Sequence, residues 1–346
     1  WCSPMEDGHG FEVINAFDDN RLAADAIRFM ERPRERPFFL VASYDNPHNI
    51  CEVASGRPLP WGGVEGPPPA AECPPLPANF PPSPYEPAPV AAMRNAKRSP
   101  DDWRRYRYTY HRIVEKVDAE IGKILDALDQ LGMCENTLVV FSSDHGENQG
   151  AHQLQAKVTL NDESSRVPFI VRWPGRFNRG RVMPIPVSAG LDLYPTLCAA
   201  AGVEALSPRP GVNLLPLLTG ETDAVGREAV VTMTTGAGKN QGRMVRTARY
   251  KYIAYERGPY REQLFDMQGD GGEMVNLAVC NQYREVLQQH RELLRNWCAE
   301  TGDNFGYHYA HPRVPFFIPG DAYAPDSGGL PDTMGMTHPP LNTGGG

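Results

Sequence analysis

The chain has 346 residues, enough for about two domains and at least one large core. Hydrophobic residues make up 41% and charged residues 22%, a globular composition, and 34 Lys and Arg against 42 Asp and Glu leave a formal charge of −8. That balance argues against non-specific binding to nucleic acid or an anionic membrane surface, and no apolar run approaches the ~18 residues of a membrane span.

The first residues, Trp1-Cys2-Ser3-Pro4-Met5-Glu6-Asp7, have neither the basic start nor the apolar stretch of a signal peptide, and no initiator Met. They read as the start of a processed or partial chain, and the compartment stays open. Asp18-Asp19-Asn20 then precede an apolar stripe of Leu22, Ala26, Ile27 and Met30, which predicts a capped helix. Pro37-Phe38-Phe39-Leu40-Val41-Ala42 is a continuous apolar run, expected as a buried parallel strand. Of the 34 prolines, those from Pro58 to Pro89 crowd a stretch without Lys or Arg. Such a segment is neither helix nor central strand, and reads as a long surface loop that either rims a site or is an insertion without function.

Tyr106, Tyr110, Ile113, Val117, Ile121, Ile124, Leu128 and Leu131 step by threes and fours, predicting a long helix with Ser99 and Pro100 at its start and Gly132 at its stop. Thr137–Ser142 and Val167–Val171 are expected as further buried strands, and Leu193–Ala201 as a helix closed by Gly202. The alternation predicts an α/β core over residues 1–225, a mostly parallel sheet with helices on both faces. Over 226–310 short runs at 230–233, 243–246, 250–255 and 263–266 predict an antiparallel sheet, with a helix from about Gln282 to Trp297. Residues 311–346 read as a Pro- and Gly-rich tail with little to bury. The seven cysteines form no C-x-x-C pair, excluding the common zinc-ribbon spacing and a thioredoxin-type motif, and Cys134 and Cys198 read as small core residues.

In open α/β sheets ligands bind beyond the carboxyl ends of the strands. Two strands here end in polar clusters, Ser43-Tyr44-Asp45-Asn46-Pro47-His48 and Ser143-Asp144-His145-Gly146-Glu147-Asn148, with His152 and Lys157 shortly after. Asp144 and His145 can turn towards one metal ion, because Gly146 lets the backbone leave the strand sharply. Taken singly, a turn aspartate, a loop histidine or a solvated lysine is the commoner explanation of each residue.

The longer strings weigh more. Thr137 to Gly146 resembles the strand and metal-binding turn of the sulfatases, members of the alkaline-phosphatase superfamily. Lys157, then Glu163-Ser164-Ser165-Arg166-Val167-Pro168 and the strand ending Trp173-Pro174-Gly175, resembles the same family. So do Phe38–Val41 with Asn46-Pro47-His48, Leu191-Asp192-Leu193-Tyr194-Pro195, and Gln263-Leu264-Phe265-Asp266 with Asn276-Leu277. The resemblance implies an alkaline-phosphatase-like α/β core, a small C-terminal antiparallel subdomain and a sulfuric ester hydrolase. It assigns Asp144 and His145 to one divalent metal, usually calcium, Lys157 to the sulfate group, and His48 to the sulfate and to protonation of the leaving oxygen. Metal and lysine would stabilise charge on the transferring group, and imidazole suits the acid role near neutral pH.

At Asn161 most of the family has an aromatic residue. The formylglycine nucleophile, made from Cys or Ser in C-x-P-x-R by a maturation enzyme, has no match: Cys2-Ser3-Pro4-Met5-Glu6 places Glu6 where arginine belongs. The nucleophile and its aspartate pair are therefore expected upstream, and the 346 residues alone are expected to be inactive. The implied partner is a sulfated glycan or small molecule. Two alternatives stay open: a two-metal phospho- or phosphonohydrolase of the same superfamily, completed by Asp45, His48 and His308 or His311, and a non-catalytic binding protein on this scaffold.

Overall fold

The computed structural model describes residues 13–15, 18–95, 97–206, 210–221, 226–235, 241–256 and 258–305. Cys2, His308, His311 and the 311–346 tail lie outside the described residues. The helices are α1 (Asp19–Glu31), α2 (Ile50–Ala54), α3 (Ala88–Ala91), α4 (Pro100–Gln130), α5 (Asp162–Ser165), α6 (Ala189–Ala201), α7 (Leu215–Thr219) and α8 (Arg284–Thr301). The strands are β1 (Val139–Ser142), β2 (Phe169–Arg172), β3 (Val230–Thr234), β4 (Gly242–Arg246), β5 (Tyr250–Tyr255) and β6 (Glu262–Asp266). Two units result. One holds residues 13–81, Asn95–Lys157 and Arg166–Arg227; the other holds Pro82–Arg94, Val158–Ser165 and residues 228–305.

In the first unit the sequence signals set the helix ends. The Asp18 side chain accepts from the Asn20 amide at the start of α1. Ser99 caps the 31-residue α4 by accepting from Asp102 N, and Gly132 ends the turn beyond it at φ 66°. Trp103, Tyr106 and Ile113 of α4 are buried with Ile50, and Leu59, Val64, Leu76 and Phe80 of the Pro-rich stretch pack on them. That stretch is therefore largely a strap laid on α4, with Arg104 donating to the carbonyls of Ala71 and Cys73. Its last residues, from Pro82, belong to the second unit.

The strand expectations need correction. Residues 37–42 are extended without a ladder: Phe38 and Leu40 pack on Met30, Ala127 and Leu128, whereas Phe39 is 58% and Val41 61% exposed. An apolar run cannot say whether one face or two will be covered. β1 and β2 pair antiparallel, with Phe141 opposite Ile170, so these two strands do not make the expected parallel pairing. The connection between them folds as a tight loop and the four-residue α5, in place of a crossover helix. Phe141 and Ile170 are exposed on one face, so both strands are half-covered where full burial was expected. Cys134 and Cys198 are half-buried, and the Cys134 sulfur accepts from Arg172 Nη2 at 2.8 Å.

α6 begins at Ala189, a turn earlier than its apolar run. Asp192 is fully buried and accepts from the amides of Ser188 and Val212 and from the Arg227 guanidinium. Pro195, inside α6, has no N–H to give the Leu191 carbonyl. The chain at Gly211 fills that gap so closely that a Cβ there would lie 2.1 Å from the carbonyl oxygen.

The second unit is a meander, β3-β4-β5-β6, every pair antiparallel. Val245, Tyr252, Ala254 and Leu264 pack against Leu287, Leu294 and Cys298 of α8. Arg291 of α8 grips Glu262 of β6 through Nε at 2.8 Å and Nη2 at 2.6 Å, a two-point pair that fixes helix to sheet. Lys251 is fully buried, its Nζ 2.5 Å from Glu273 Oε1 and 2.9 Å from Asp162 Oδ1. The Asn276 side chain accepts from the amides of Leu264 and Ala278 and donates to the carbonyls of Tyr85 and Glu262.

Two outcomes follow from this packing. Gly211→Ala should lower stability by about 1–3 kcal/mol, because the contact at Leu191 is backbone on backbone; equal thermal midpoints for variant and parent would contradict it. His290 has Nδ1 2.8 Å from the Val286 carbonyl and Nε2 3.1 Å from the Thr247 hydroxyl, beside the Tyr250 ring, and burial lowers its pKa despite Glu228. The unfolded chain thus takes the proton more readily than the fold. The stability contributed by His290 is full above the ordinary histidine range and is lost as pH falls below about 6.5. Denaturation midpoints of the second unit should decline over that window, and less steeply in His290→Gln.

Candidate active site

β1 delivers the chain into the turn at 143–146. The Ser143 hydroxyl donates to the His145 carbonyl at 2.9 Å, and the His145 amide to Asp144 Oδ1 at 2.9 Å. The His145 ring places Nδ1 2.9 Å from the Gly146 carbonyl, which suits an N–H donor there. A neutral imidazole then keeps its lone pair on Nε2. That atom lies 3.2 Å from Asp144 Oδ2, and the Asp144 side chain is 80% exposed. One carboxylate oxygen and one imidazole nitrogen thus converge with solvent access. This donor set fits two positions of a divalent metal, out of the four of zinc or the six to eight of calcium.

Glu147 organises the next segment. Its Oε1 accepts from the Tyr106 hydroxyl at 2.9 Å, from Ala156 N at 2.7 Å and from Gln149 N at 3.4 Å. The Asn148 amide and side chain both donate to the Ala156 carbonyl. These bonds clamp the two ends of the 148–156 loop together, so the chain returns to Glu147 and Asn148 at Ala156, one residue before Lys157. Burial and the Glu147 charge push the Tyr106 phenol far up and that of Tyr110 to about 12, which keeps both protonated at neutral pH. The loop needs the clamp. Gln149, His152, Gln153 and Ala156 all have φ between 48° and 62°, a left-handed backbone that non-glycine residues adopt at a cost.

A separate set of contacts holds His48. Asp19, buried at the first position of α1, accepts from the amides of Asp45 and Asn46 and from the Asn46 side chain, between 2.7 and 3.0 Å. The His48 amide closes the turn onto the Asp45 carbonyl, and its Nδ1 lies 3.9 Å from Asp45 Oδ1 and 3.8 Å from Cys51 Sγ. The half-buried ring is thereby presented at the start of α2.

Among the residues singled out from sequence, the structure brings Asp144, His145 and Lys157 onto one turn-and-loop segment. Asn161 is buried in the second unit and donates to Glu273 Oε2 at 2.9 Å, a framework role. Sequence reasoning missed Asp19, Tyr106 and Glu147. Asp19 looks like a helix-start acid and Tyr106 like core, and only the approach of α4 to the loop reveals the third.

The sulfatase family profile matches residues 4–203, more than half of the chain. The chain belongs to the sulfatase family. A second profile, N-sulphoglucosamine sulphohydrolase, C-terminal, matches residues 150–300. This sulfatase-family chain is 32% identical over 323 residues to a Delta 4,5-hexuronate-2-O-sulfatase of Bacteroides thetaiotaomicron, covering 85% of the chain and 64% of that protein. It resembles a solved 2-O GAG sulfatase with a TM-score of 0.73 and 29% identity over 83% of this chain and 64% of that one. It also resembles the phosphonate monoester hydrolase of Agrobacterium radiobacter, with a TM-score of 0.64 and 25% identity over 83% and 62%. The chain thus spans less than two thirds of these relatives, and its architecture is their alkaline-phosphatase-like α/β fold with an antiparallel C-terminal sheet.

Glu147→Ala should release the loop. Hydrogen exchange at the Ala156 amide should quicken at least tenfold, reflecting loss of a charge-assisted bond worth about 1.5–3 kcal/mol. Unchanged protection there would remove Glu147 from the clamp.

Proposed function

We propose that the protein is a sulfuric ester hydrolase of sulfated, uronate-containing glycans. What supports this most is membership of the sulfatase family, together with the Asp144–His145 pair and the Glu147 clamp that brings the chain back to that turn at Ala156, one residue before Lys157. Lys157 binds the sulfate oxygens and stabilises the charge that grows on them. His48 contacts the sulfate and donates its proton to the leaving oxygen, which matters most for a poor leaving group. Asp144 and His145 hold one divalent ion, taken as calcium. When bound, that ion supplies positive charge against the sulfate and the nucleophile. The nucleophile is a formylglycine from a C-x-P-x-R segment, which this sequence does not contain. The glycan preference follows the uronate and GAG sulfatases named above.

Lys157→Ala should lower kcat/KM for an aryl sulfate by at least 100-fold with little change in thermal midpoint, since the contact acts in the transition state. His48→Ala should cost an alkyl or sugar sulfate at least tenfold more than an activated aryl sulfate; equal losses would end the acid role. These assays use protein carrying the formylglycine segment and matured for it.

A phosphonate or phosphate diester hydrolase is the second reading, favoured by the likeness to the Agrobacterium enzyme. Zinc prefers the imidazole that calcium rarely takes. Metal analysis separates the two: about one calcium per chain supports the sulfatase, and about two zinc ions would overturn it.

A further inference from the structure

The first unit carries a cleft of about 460 Å³ between α2 and the start of α4. Lys97, Arg98 and Arg105 line it, with Asp102 as the opposing charge, in a protein whose formal charge is −8. The Arg98 guanidinium carbon lies 4.7 Å from the Tyr106 ring centre and 5.0 Å from that of Trp103, two aromatic contacts that hold it in the cleft. Among the described residues no carboxylate is ion-paired with Lys97 or Arg98. Arg105 has Asp102 3.2 Å away, but an exposed pair of this kind is worth little and is readily exchanged for a ligand anion. The Pro-rich strap contributes Pro67 and no cation.

The walls tie the cleft to the residues assigned above. Val53 of α2, the helix that follows the His48 turn, lines it. Tyr106 is the side chain that donates to Glu147. Asn95 binds the far limb of the clamped loop, its amide to the Gln153 carbonyl at 3.1 Å and its side chain to Gln155 at 3.2 Å. The cleft therefore touches the helix that follows His48 and the two residues, Tyr106 and Asn95, that hold the loop leading to Lys157.

We propose that this cleft receives a second acidic group of the substrate, a uronate carboxylate or a further sulfate, on the sugar next to the ester that is cleaved. Lys97 and Arg105 supply the charge and Arg98 a planar donor fork. A neutral aryl or alkyl sulfate would leave them unpaired. The inference rests on the sulfatase reading for its substrate, but its test does not.

Titration calorimetry of the chain with a disulfated uronate–glucosamine disaccharide should give a Kd that weakens with salt. K97Q/R105Q should weaken it about tenfold or more at an unchanged thermal midpoint, the scale of losing one charged contact. The carboxyl-reduced and singly sulfated disaccharides serve as further probes. The one that lacks the recognised anion should bind weakly to the parent and lose nothing more in the variant. Loss of binding in the variant, when matured protein carrying the formylglycine segment releases sulfate from no ester, keeps the cleft and removes the sulfatase reading. An unchanged Kd in the variant, an equal loss for every disaccharide, or no binding to the parent at about 1 mM would overturn the cleft.

Discussion

Glu147 takes three hydrogen bonds on a single carboxylate oxygen, and the order of the first unit around its candidate site depends on them. The Tyr106 bond fastens the loop to a helix whose own face is buried, so the loop inherits the rigidity of α4. The Ala156 bond shuts the loop. Without it, four non-glycine residues in left-handed conformation would each cost about 1–2 kcal/mol with little to offset them. Burial of Ala151, His152 and Leu154 helps on the same side of the balance. Strain of this kind survives where the surroundings over-determine the backbone, as they do between β1 and Lys157.

The helices were legible because their signals are local. Ser99, Pro100 and Gly132 mark the ends of α4, and Asp18 the start of α1, by bonds made within a turn or two. The meander was legible for a related reason, since each strand pairs with its neighbour in sequence. What could not be read was which face of an apolar run would be covered. Phe39 and Val41 carry the same letters as buried residues, and only the packing of Phe38 and Leu40 on α1 and α4 decides the matter. Of the candidate site, the chemistry-bearing side chains were legible, while Asp19 and Glu147, which hold their backbones, were not. Their partners lie 26 or more residues away for Asp19, and on α4 for Glu147.

Several strings that carry the family resemblance prove to be framework. Asp192 anchors the start of α6 and the chain near Val212, and Thr196 passes a hydrogen bond on to Leu214. Asn276 satisfies four backbone groups, among them the buried Leu264 amide and Glu262 carbonyl of β6. A side chain that replaces water for buried peptide groups tolerates no isosteric apolar exchange. Such positions therefore record the fold as faithfully as a catalytic residue records the chemistry.

Lys251 has a different consequence, for how this sequence can drift. Its ammonium, buried completely, faces the carboxylates of Glu273 and Asp162, and Asn161 steadies Glu273. Removing Lys251 strands the buried Glu273 carboxylate in a low-dielectric interior, at several kcal/mol, whereas loss of Asp162 leaves the Lys251–Glu273 pair in place. Replacing them together by apolar residues of similar volume would cost far less. The cluster is thus a valley closed to single steps and open to a concerted one. Homologues should hold the Lys251 and Glu273 charges together or neither, with few intermediates between.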